Sequence, residues 1–140
     1  MAGTGTQKRL LCLIFVNIIS TILHYTDNFL FFDNYPAPQW MNMHHVYIAW
    51  LLLTPFALAG YLLYKKQEYW LAYFCLFIYS NAGAASMGHY FYGSVSDMSW
   101  RMNASIVLDV IVGISLDLFL FWSAFIAREW RTANRAEQQF

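Results

Sequence analysis

Four apolar runs of bilayer length organise the chain, over residues 10–32, 45–64, 69–92 and 100–127. A bilayer core needs about 20 mostly apolar residues per helix, so each run predicts a transmembrane α-helix. Polar links at residues 33–38, 65–68 and 93–97 separate them. Proline ends helices and restricts the residue before it, which makes the link containing Pro36 and Pro38 the sharpest break. Links this short join antiparallel neighbours. The expected fold is all-α: one integral membrane domain over residues 1–140, a four-transmembrane-helix up-down-up-down bundle. Pro55 sits inside the second run as a candidate kink.

Polar positions within the runs follow helical spacing. In the first, Asn17, Ser20, Thr21, His24, Asp27 and Asn28 recur at steps of three or four and share one face. The opposite face carries Leu, Ile, Val and Phe and suits lipid. In the third, Ser80, Ala84 and Gly88 form a small-residue stripe for close helix packing, beside a second stripe of Asn81, Ala85 and His89. In the fourth, Ser105, Asp109, Gly113 and Asp117 align. The second run is the least polar, with His44 and His45 at its entrance.

The composition fits a membrane chain. Of 140 residues, 59% are hydrophobic, 20% aromatic and 11% charged, against about 25% charged in soluble domains. Eight basic and eight acidic residues cancel, so no net field argues for a nucleic-acid partner. The first run is too long for a signal-peptide core and lacks a small-residue cleavage site, so it reads as a retained anchor. Lys8, Arg9, Lys65, Lys66, Arg128, Arg131 and Arg135 fall on one side of the bundle and Arg101 on the other. The positive-inside rule then makes both termini cytoplasmic. Trp40 and Trp100 mark the outer interface, and Tyr69, Trp70 and Trp130 the inner one. Cys12 and Cys75 lie near the same inner face and read as apolar filler rather than a disulfide.

At about 1.5 Å rise per residue, Asp27 lies roughly 7 Å below the outer end of its helix and His24 roughly 12 Å. By the same rise His89 lies roughly 5 Å down, Ser105 roughly 8 Å, Asp109 roughly 14 Å and Asp117 roughly 25 Å. Asp117 is therefore a separate locus. His24, Asp27, Asn28, His89, Ser105 and Asp109 become candidate ligand-binding residues of one outward-opening pocket, since intramembrane ionisable groups normally face a bundle interior. Three uses compete. Polar side chains serve as glue between helices or toward a membrane-protein partner or a second copy. Aromatic residues such as Tyr25, Tyr47, Trp50, Tyr79, Tyr90 and Phe91 could wall a pocket for a lipophilic small molecule. His24, Asp27, His89 and Asp109 are residue types that suit a metal ion or acid-base chemistry and would make the chain a metal-dependent membrane enzyme, with His24 and His89 also conceivable as haem ligands. The ligand or cofactor pocket is the favoured expectation. Enzyme motifs such as G-x-S-x-G, H-E-x-x-H and a phosphate loop are absent from the sequence. The Asn103-Ala104-Ser105 sequon lies at a membrane edge unsuited to glycosylation.

The four-run layout, with His24-x-x-Asp27, the Tyr35-Pro36 break and a His near the outer end of the third run, resembles small bacterial four-helix membrane proteins of uncharacterised function. A looser likeness is to the EXPERA superfamily of sterol isomerases and sigma-2 receptors, whose first helix also carries an Asp followed by a Tyr-Pro break. That resemblance covers most of the chain and implies that Asp27 is a ligand-binding acid in a sterol-like pocket. The sequence departs from it in the second run, where His45-Val46-Tyr47-Ile48-Ala49-Trp50 replaces an acidic residue of the family.

Overall fold

The structure is a computed structural model that describes residues 4–131; Arg135, counted among the basic residues above, lies outside them. The described residues form helices α1 (Thr4–Leu30), α2 (Met43–Lys65), α3 (Tyr69–Ala84) and α4 (Trp100–Phe121), with no strand among them. Three helical stretches are long and apolar enough to cross a membrane: Gly5–Leu30, Met43–Lys65 and Trp100–Ile126. The third expected span is divided. Its α-helix ends at Ala84 and a 3-10 segment, Ala85–Phe91, continues it.

The helices pack in the cyclic order α1, α2, α3, α4 and back to α1. Paired residues run in opposite directions along the two seams that α1 makes with α4 and α2. Asn17 meets Val112, Ser20 meets Asp109 and His24 meets Ser105 between α1 and α4. Thr21 meets Trp50 and Thr26 meets Tyr47 between α1 and α2. One end of the molecule holds an apolar cluster that includes Leu10, Ile14, Tyr64, Tyr69, Tyr73, Leu120 and Ala124. The other holds Tyr35, Met98, Met102 and Ile106.

Burial is inverted relative to a water-soluble fold. Asn17, Ser20, Thr21, His24 and Asn28 are buried, whereas Phe15, Leu23, Leu51, Leu58, Phe74 and Leu118 are exposed. Large exposed apolar surface around a buried polar face is the informative departure from ordinary burial, and it is what a lipid-facing helix requires.

Local chemistry fixes the ends. Asn42 caps α2 by accepting from the His44 and His45 backbone amides, and the Asn42 amide donates to His45 Nδ1. Gln67 closes α2 with a positive φ of 67°. The Gln67 amide donates to the Tyr64 carbonyl and the Glu68 amide to Leu63, a Schellman closure built without glycine. Pro55 lies within α2, and Thr54 Oγ1 donates to the Trp50 carbonyl at 2.7 Å. Ser99 caps α4 by accepting from the Met102 amide. Asn103 Nδ2 donates to the Val95, Met98 and Ser99 carbonyls, and Tyr90 donates to its Oδ1, so the sequon amide is engaged in holding the link.

Candidate functional site: a cavity beside α1

A cavity of about 270 Å³ lies among α1, the link after it, the start of α2 and the 3-10 segment after α3. His24, Asn28 and His89 line it together with Pro36, Trp40 and Tyr92. The His24 and His89 ring centroids stand 5.7 Å apart.

His89 arrives here because of the 3-10 segment. A 3-10 helix advances with three residues per turn rather than 3.6, so the four-residue stripe Asn81, Ala85, His89 does not survive. Asn81 faces outward and donates to the Phe77 carbonyl. Ala85 is exposed, while His89 turns inward. Its hydrogen bonds assign its tautomer. Nδ1 lies 2.7 Å from the Pro36 carbonyl, which can only accept, so Nδ1 carries the proton. Nε2 lies 2.8 Å from Asn28 Nδ2, an amide nitrogen that can only donate, so Nε2 is bare. His89 is neutral in this arrangement.

Asn28 is the other half of this contact. Its Nδ2 is spent on His89, and its Oδ1 is buried with no hydrogen-bond partner among the described residues. Asn28 is 5% exposed. A buried acceptor left unpaired costs about 1–3 kcal/mol. Among the described residues Asn17 Oδ1 is also without a partner, in the α1–α4 seam where Asn17 Nδ2 donates to Val112.

The remaining expected site residues lie beside this cavity rather than on it. Asp27 forms an ion pair with Arg101 at 3.1 Å and accepts from the Tyr35 hydroxyl at 2.7 Å. The Tyr35 hydroxyl also lies 3.2 Å from Ser105 Oγ. Burial, reinforced by the hydrogen bond to the Asp27 carboxylate, pushes the Tyr35 phenol above its ordinary range, so it remains a donor. Ser105 Oγ lies 3.3 Å from His24 Nδ1. Asp109 is fully buried and accepts from Ser20 at 2.8 Å and from Ser86 at 2.9 Å. Ser86 lines the cavity, so Asp109 stands one hydrogen bond behind it.

The expected metal set of His24, Asp27, His89 and Asp109 is therefore not assembled. Each carboxylate is taken by its own partners, and both His89 nitrogens are engaged. Among the described residues, no three His, Cys, Asp or Glu side chains stand as a metal-holding group. Cys12 and Cys75 are both free thiols.

Three participants fell outside the sequence reading. Tyr35 entered it only as part of a helix break, yet it is buried and joins Asp27 to Ser105. Ser86 belongs to neither stripe of the third run. Glu129 sits beyond the last span, where a π turn at Trp122–Ile126 and a φ of 52° at Arg128 fold the chain back. Its carboxylate accepts from Tyr64 and Ser123, and Ser123 meets Tyr73 at 2.8 Å. No protein-family model, characterised protein or solved structure matches the chain.

Proposed function

We propose that this is an integral membrane protein that binds a small ligand in the outer cavity, the ligand donating a hydrogen bond to Asn28 Oδ1. The unpaired Asn28 oxygen carries the reading. It is buried, it belongs to a residue lining a cavity, and a hydroxyl or amide donor on a ligand would complete it. His24, Ser86 and His89 add polar contacts, while Pro36, Trp40, Val46 and Ala49 supply apolar wall. The volume sits just under the roughly 300–1,000 Å³ typical of ligand clefts. It therefore suits a single ring or a lipid-like headgroup rather than a whole sterol. Asp27, the acid that the EXPERA likeness would use, is committed to Arg101 and Tyr35.

The protein crosses the bilayer four times, up-down-up-down, with both termini cytoplasmic. A 3-10 segment rises about 2.0 Å per residue against 1.5 Å for an α-helix. On that basis α3 and its 3-10 continuation together reach about 38 Å, enough for a bilayer core of about 30 Å. Support for the orientation comes from the apolar cluster that gathers the start of α1, the end of α2, the start of α3 and the end of α4. Lys8, Arg9, Lys65, Lys66, Arg128 and Arg131 flank that end.

Native mass spectrometry of protein released from mild-detergent micelles tests the ligand. A bound small molecule is expected on the wild type and on Asp27→Asn, and is lost from Asn28→Ala. An adduct that survives Asn28→Ala, or none on the wild type, refutes the proposal.

A further inference from the structure

A second concavity lies on the opposite part of the molecule and plays no role in the outer cavity. It is an open groove of about 680 Å³ between α3 and α4, lined by Trp70, Phe74, Phe77, Phe121, Phe125 and, as the one carboxyl side chain among the described lining residues, Asp117. The volume falls within the range of roughly 300–1,000 Å³ for small-molecule clefts.

Asp117 is an uncommon residue for such a place. A carboxylate among apolar side chains at membrane depth is costly without a partner. Ser80 donates one hydrogen bond to its Oδ1, and among the described residues no Lys, Arg or His lines the groove. A bound cation would supply the charge partner that this lining lacks. The walls favour the same sign, because aromatic rings present negative faces that attract cations. Five of the aromatic residues, Trp70, Phe74, Phe77, Phe121 and Phe125, are more than half exposed, so they line the groove without being needed to fill the core.

We propose that this groove binds an amphiphilic organic cation, its charge at Asp117 and its apolar body against the aromatic wall. The site is independent of Asn28 and of the outer cavity.

Titration calorimetry of the full chain in neutral-detergent micelles, with tetraphenylphosphonium as probe and the isosteric anion tetraphenylborate as control, tests it. The cation is expected to bind saturably at one site, and the anion not to bind. Asp117→Asn should weaken the cation by about tenfold or more, the scale of a lost charge partner in a desolvated site. Phe121→Ala removes a wall residue that is 57% exposed, so the fold does not depend on it, and it should also weaken the cation several-fold. Asn28→Ala should leave binding unchanged. Equal binding of the two ions, undiminished binding in Asp117→Asn or in Phe121→Ala, or loss in Asn28→Ala would each overturn the proposal.

Discussion

Asp27 shows how a residue's place can be legible while its partners are not. Its place on the polar face of α1 follows from helical spacing alone, and the face is indeed buried. Its partners do not follow, because Arg101 starts another helix and Tyr35 stands in a link whose path depends on tertiary packing. The two partners differ in weight. Arg101 is half exposed, with 51% of its side chain accessible, and an exposed ion pair contributes about 0.2–1 kcal/mol. The Tyr35 hydroxyl is buried and donates to a charged acceptor, a bond worth about 1.5–3 kcal/mol. Tyr35→Phe should therefore destabilise the protein more than Arg101→Gln when unfolding is followed in mixed micelles. The reverse order would mean that Asp27 is held mainly by charge.

Regular helices were legible in the sequence, and irregular ones were not. The stripe from Asn17 to Asn28 lies on an unbroken α-helix, so steps of three and four predict a shared face. The stripe Asn81, Ala85, His89 fails because the helix tightens after Ala84. The expected small-residue stripe is likewise only partly the point of close approach. A Cβ on Gly83 would stand 2.8 Å from the Asp109 carbonyl oxygen, and one on Gly113 would stand 2.7 Å from the Ser80 carbonyl oxygen. These are backbone atoms, which cannot swing away as a side chain could. At Gly88 a Cβ would meet nothing within 4 Å. Gly83→Ala and Gly113→Ala should each cost about 1–3 kcal/mol through forced separation of α3 and α4, whereas Gly88→Ala should be close to neutral. Thermal unfolding of the three variants side by side checks this. Equal effects would remove the α3–α4 contact as the reason for these glycines.

Over the whole molecule, a membrane chain builds its inside from the residues that a soluble protein would display. Composition and run length made that legible, down to the four α-helices among the described residues. The cavity was legible only in part. His24, Asn28 and His89 line it, while Asp27, Ser105 and Asp109 form the hydrogen-bonded layer beside it. What distinguishes Asn28 is a missing partner, and a missing partner has no sequence signal. A density map of the purified protein, sharp enough to orient the Asn28 amide, tests the central claim most directly. The account predicts a non-protein molecule in the outer cavity with a donor atom at hydrogen-bonding distance from Asn28 Oδ1. An Asn28 oxygen satisfied by a protein donor, with no molecule beside it, would contradict the account.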